Sequence, residues 1–216
     1  PATQEQLANW LHYVQSKLKE GEKSKIYVNM VELNHMQTQL LALKSMKQSQ
    51  ALSKAITALQ TYLTRYIPRN QLGLSQLPNG ADWLQTKLNY FSNRTHSPIQ
   101  WMTAIQKQLR GMQLKRVVAL PQPEVADLQS DLDWRQSFRS MKLWASQQSL
   151  SDEQQYMALL IMEVDLGVHA QLWDRELVYT ALARRGVTPD IADTILEQVL
   201  LHPGRSFIYS GIIDEI

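Results

Sequence analysis

At 216 residues the chain is long enough to bury a substantial core, as one large domain or two small ones. It contains no cysteine, which excludes disulfides, thiolate zinc sites and a cysteine nucleophile. The 22 Lys and Arg against 20 Asp and Glu give a net charge of +2. That is far from the concentrated basic surface of a phosphate-driven nucleic-acid binder, and no apolar run reaches the roughly 18 residues needed to span a bilayer.

The first predicted helix opens at Thr3, whose hydroxyl and Gln6 form a capping box ahead of Leu7, Trp10, Leu11, Val14 and Leu18 at helical spacing. Gly21 is expected to end it. Lys19, Lys23 and Lys25 around that glycine read as a solvated turn. From Val31 to Leu63 the apolar residues keep nearly one phase, which predicts one long helix or two nearly collinear ones broken near Gln48 to Gln50. Pro68 to Gly80 is the first real loop, because Leu72-Gly73 and Pro78-Asn79-Gly80 demand sharp turns. A short helix follows through Trp83 and Leu88, and Ser97-Pro98 supplies a cap and first-turn proline for the next.

Residues 114–124 resist helix, with Val117-Val118 ahead of two prolines, and are read as a linker. Helices are then predicted from Val125 to about Gln147, from Ser151 to Leu172, from Asp174 to Arg185 before Gly186, and from Thr188-Pro189 to His202-Pro203-Gly204. The last two form a helical hairpin. The expected fold is all-α, an irregular helical bundle of two packed subdomains, 1–113 and 125–216. The six tryptophans, Trp10, Trp83, Trp101, Trp134, Trp144 and Trp173, are expected mainly in the core. The methionines, Met30, Met36 and Met46 among them, are expected to fill gaps inside it.

Five histidines are present, and none is followed by the Glu-x-x-His that would place two imidazoles and a general base on one helix face. No nucleophile elbow, phosphate loop or dinucleotide fingerprint occurs. The best constellation is Asp165 and His169, four apart on one helix face with Glu163 nearby. Such a pair can orient an imidazole or offer two metal ligands, one short of the usual three, but it is also an ordinary helical contact. His202 before Pro203-Gly204 reads as a cation at a helix C-terminus.

Two stretches carry a resemblance. The first is Tyr66-Ile67-Pro68-Arg69, then Gly73-Leu74-Ser75, Leu77-Pro78-Asn79-Gly80 and Ser97-Pro98. The second is Asp165-Leu166-Gly167-Val168-His169, then Trp173, Arg175 and Glu176, then His202-Pro203-Gly204-Arg205-Ser206-Phe207-Ile208-Tyr209. In order and spacing these resemble strings of the bacterial domain of unknown function 885 family, whose members are similar to helical zinc metallopeptidases. The family's His-Glu-x-x-Pro-Gly-His-His element is missing here, Ile161 stands where an arginine is common, and Leu172 replaces the glycine before Trp173.

The resemblance implies that His169, Tyr209 and Asp165 are the candidate catalytic positions and Trp173, Arg205 and Arg69 the candidate binding ones. No metal ligand set and no cofactor is expected. A zinc peptidase needs its metal to activate water, so helper residues without ligands cannot supply the reaction. The function the resemblance implies is a non-catalytic helical binding or scaffold protein derived from a metallopeptidase-like family, acting through a peptide or protein partner. The alternative is a small peptidase or hydrolase with a partner-completed or unconventional metal site, with His169 and Tyr209 facing a partly open groove. Pro1 follows no initiator methionine, so an export or anchoring segment upstream is compatible, and the periplasm or cell envelope is favoured over the cytoplasm.

Overall fold

The computed structural model describes residues 3–113, 116–121, 144–145 and 147–213. Among these all regular structure is helical, with one isolated bridge between Asn29 and Arg69. The predicted helix from Val125 to Gln147 lies almost wholly outside the described residues, as do Trp134 and much of the 114–124 segment. No described helix is long and apolar enough to cross a membrane.

The chain divides into two compact units, 1–71 and 72–216. This boundary falls earlier than the sequence reading placed it, because helices on either side of 114–124 pack against each other inside the second unit.

The first unit holds α1 (Gln4–Lys23), α2 (Met30–Lys44) and α3 (Gln50–Arg65). The Thr3–Gln6 capping box opens α1 as expected. Gly21 does not close the helix, which runs on to Lys23. Its role is close approach, since a Cβ there would lie 2.6 Å from the Ile26 carbonyl oxygen. The break after α2 is real, but α2 packs against α3 and is not collinear with it. Leu52, Ile56, Leu59 and Leu63 of α3 meet Leu11, Leu33 and Leu40 in one core cluster.

The second unit holds a 3-10 turn (Leu74–Gln76), α4 (Gly80–Ser92), α5 (Pro98–Arg110), α6 (Asp152–Ala170), α7 (Arg175–Ala183), α8 (Pro189–Leu201) and a terminal 3-10 helix (Arg205–Ile212). Ser97 and Ser151 cap α5 and α6 in capping boxes, as their sequences predict. The centre is α6, whose every residue from Tyr156 to His169 is buried. A helix that is covered on all sides needs partners all round. It has them in α4, α5, α7, α8, the 3-10 turn and the terminal 3-10 helix.

The α7–α8 hairpin closes as predicted. Gly186 takes the left-handed conformation at φ 77°, Val187 N–H donates to the Leu182 carbonyl at 3.1 Å, and both of those side chains are buried. The aromatic expectation needs correcting. Trp101 is fully buried, but Trp10 and Trp83 are exposed, and so are Met30 and Met46. Helical spacing shows that side chains share a face without showing that the face is covered.

The end of α6 departs from expectation in another way. Leu172, which stands where the resembled family has glycine, is 56% exposed and has φ 60°. A left-handed backbone is costly for a residue with a Cβ, by roughly 1–2 kcal/mol. Glycine avoids that cost, less the greater freedom it regains on unfolding. Leu172→Gly is therefore expected to stabilise the protein by about 0.5–1 kcal/mol in urea unfolding, and a loss of stability would show that the leucine side chain makes a contact worth more than its strain.

Candidate functional site

Asp165 and His169 project from the buried face of α6 and are each only 1% exposed. Shielded from bulk solvent, their polar atoms need hydrogen-bonding partners inside the fold. The His169 Nδ1 accepts the Leu74 backbone N–H at 3.1 Å, and its Nε2 lies 3.0 Å from the Val199 carbonyl oxygen. A carbonyl can only accept, so Nε2 carries the proton and the ring is the neutral tautomer. One imidazole thus ties α6 to the 3-10 turn on one side and to α8 on the other. Both nitrogens are engaged, which leaves no lone pair facing an open site.

Asp165 makes the matching tie to the terminal 3-10 helix. Its two carboxyl oxygens each lie 3.0 Å from the Gly204 amide nitrogen, and Oδ2 is 2.7 Å from Ser206 Oγ. Gly204 itself is left-handed, φ 75°. The nearest Asp165–His169 approach is 3.9 Å, too long for a hydrogen bond. Burial pushes the Asp165 carboxyl up to about 7, against the opposing pull of the Gly204 and Ser206 hydrogen bonds and the Lys87 charge.

The glycines of the matched strings serve the same junction. A Cβ on Gly73 would lie 2.0 Å from the Val168 carbonyl oxygen, and one on Gly80 would lie 1.6 Å from that of Leu74. A Cβ on Gly167 would meet the Trp173 ring at 2.3 Å. Trp173 is half-buried against that bare backbone, and its backbone amide N–H donates to the Gly167 carbonyl at 2.9 Å. Gly73 and Leu74 therefore lie against Val168 and His169, and Gly204 and Ser206 against Asp165, as a set of backbone contacts locked by two polar side chains.

Tyr209 is elsewhere. It is buried, donates its hydroxyl proton to the Pro121 carbonyl, and has its phenol pushed up to about 12 by burial. Arg205, half-buried, is close enough to oppose that shift. In the first unit Arg69 donates through Nε to the Tyr27 carbonyl at 2.9 Å and through Nη1 to the Gln71 carbonyl, with Glu32 3.9 Å away. Its side chain is almost wholly covered, and burial lowers its pKa. Arg175, near the hairpin, pairs with Asp193 at 3.0 Å on the surface.

The partly open groove expected around His169 and Tyr209 is not what forms, because His169 is sealed under Leu74 and Val199. An open concavity of about 630 Å³ does adjoin Tyr209. It lies between the end of α4, residues near Leu150, and the terminal 3-10 helix. Sequence reasoning missed it, since its walls come from three separated segments and only Gly211, in Ser210-Gly211-Ile212, hinted at a gap. Glu163, read in the sequence only as a neighbour of the Asp165–His169 pair, is a second buried carboxylate on α6 with partners of its own. It accepts from Gln106 Nε2 at 3.2 Å and pairs with Arg185 at 3.4 Å, joining α6 to α5 and to the residues after α7. Among the described residues no three His, Asp or Glu side chains are grouped to hold a metal ion.

His169→Ala would leave the Leu74 N–H and the Val199 carbonyl buried and unpaired, and a loss of about 2–4 kcal/mol in urea unfolding is expected. His169→Gln, which keeps one acceptor and one donor, should recover part of it. Asp165 carries a pH signature. Its folded pKa is raised to about 7, so its stabilising contribution is fully present below the unfolded value of about 4 and is lost as pH rises through 7. The thermal midpoint is expected to fall between pH 5 and about 8, and Asp165→Asn, a permanent mimic of the neutral acid, to flatten that slope. Comparison of the sequence with protein-family models finds no match, and comparisons with curated proteins and with solved structures likewise find none.

Proposed function

We propose that this chain is a non-catalytic helical binding or scaffold protein that keeps part of a metallopeptidase-like framework and acts on a protein or peptide partner. The observation that carries the proposal is the commitment of His169. A general base or metal ligand needs a nitrogen lone pair directed at a reacting atom. Here the Nδ1 lone pair receives the Leu74 amide and the Nε2 proton goes to Val199. Asp165 is likewise occupied by Gly204 and Ser206.

Ancestry in the metallopeptidase-like family is supported by how the matched strings fit together. Gly73 and Leu74 lie against Val168 and His169, and Asp165 holds the Gly204 turn. Strings that matched by chance would have no reason to converge. What such a framework retains is its packing, and its remaining means of action is surface contact.

Calorimetric titration with zinc, with metal analysis of the purified protein, tests this reading. No stoichiometric tight uptake is expected, and no peptide hydrolysis that His169→Ala removes while leaving the thermal midpoint unchanged. Tight zinc accompanied by turnover would overturn it.

A further inference from the structure

We infer that the groove between α1 and α3 of the first unit binds an acidic stretch of a partner polypeptide, an inference that rests on the binding role proposed above. The charge of the chain is divided unevenly. Residues 1–71 carry nine Lys and Arg against four Glu and no Asp, a net charge of +5, while residues 72–216 carry 13 against 16. The nearly neutral total therefore hides a basic unit, and charge held on one module marks an anionic partner.

Two contacts set α1 and α3 side by side and pointing the same way. The Gln4 side chain bonds to the Lys47 carbonyl and the Ser49 amide just before α3 begins, and near the ends of both helices the Tyr62 hydroxyl donates to Glu22 Oε2 at 2.7 Å. Between their later halves lies a depression of about 360 Å³, walled by Gln15 and Glu22 of α1 and by Ala58, Thr61, Tyr62 and Arg65 of α3. Exposed cations rim it. Lys54 and Arg65 share the α3 face of Ala58 and Thr61 by helical register, and Lys19 and Lys23 are one turn apart on α1.

The carboxylates nearby are already engaged, Glu20 with Lys17 at 2.7 Å and Glu22 with the Tyr62 hydroxyl. Lys19, Lys23, Lys54 and Arg65 enter no ion pair among the described residues. An acidic occupant would neutralise all four. Lys54 and Arg65 are three turns apart, about 16 Å, which about five residues of extended polypeptide would span. A single-stranded nucleic acid is also anionic, but it relies on open aromatic rings to stack its bases. The groove offers none, because Lys19 Nζ lies over the Tyr62 ring, 5.6 Å from its centroid, and the exposed Trp10 and Tyr13 are on another side of α1.

The test is fluorescence anisotropy of the full chain with a labelled Glu-rich peptide, its Gln-substituted counterpart of equal length, and a labelled single-stranded oligonucleotide. The wild-type protein is expected to retain the acidic peptide in preference to the other two, less tightly as salt rises. Lys54→Glu with Arg65→Glu should weaken that binding about tenfold or more with the thermal midpoint near wild type. Lys44→Glu with Lys47→Glu, which removes the same charge from the same unit outside the groove, should leave most of it. Lys23→Gln with Lys54→Gln, a milder pair with one change on each wall, should cost about threefold. Equal losses in the two Glu pairs, or none in the groove variants, would overturn the site. Equal retention of the acidic and Gln-substituted peptides, or tighter retention of the oligonucleotide, would overturn the class of occupant, and retention of none of the three probes would overturn the inference as a whole. The binding role stands or falls separately, on the zinc and hydrolysis measurements.

Discussion

The second unit depends on one constraint: α6 is covered on every side, so any polar group it carries must be satisfied by a neighbouring element. The buried histidine and two carboxylates on it each reach different neighbours. His169 takes the 3-10 turn and α8, Asp165 takes the terminal 3-10 helix, and Glu163 takes α5 and Arg185. An unpaired buried donor or acceptor costs about 1–3 kcal/mol. Apolar packing would tolerate small slides of these elements against α6, whereas the hydrogen bonds fix where each one sits.

That constraint explains why a motif resembling part of an active site can be structural. Aspartate and histidine four residues apart on a helix can form a catalytic pair if they face a cleft, or a pair of clamps if they face backbone. Here they face the Gly204 amide, the Leu74 amide and the Val199 carbonyl. The surrounding glycines serve the same end, letting Val168 approach residue 73 and Trp173 lie over residue 167. The first unit shows the same economy on a smaller scale, where Arg69 is used up in closing the chain against Tyr27 and Gln71. Trp10 and Tyr13 of α1, by contrast, stay exposed.

The helices were largely legible from local chemistry. Thr3, Ser97, Ser151 and Asp174 cap their helices because a side-chain oxygen reaches an amide two or three residues on, and that geometry needs no tertiary partner. Gly186 ends its helix for an equally local reason, its left-handed backbone. Gly21 looked alike in sequence, yet the space it provides is for Ile26 across the following turn. Periodicity likewise put Trp10 and Trp101 on helical faces without showing that α5 would be covered at Trp101 and α1 open at Trp10.

The sequence by itself determined the all-α class, the caps, the hairpin of α7 and α8, and the absence of a cysteine-based site, because each follows from residue identity or from contacts within a few residues. Only the tertiary structure decided what Asp165 and His169 face, since their partners lie thirty or more residues away in the chain. The pocket beside Tyr209 belongs to the same category. Its walls are assembled from segments that carry no pattern in common, and they form a concavity only when packing brings them together.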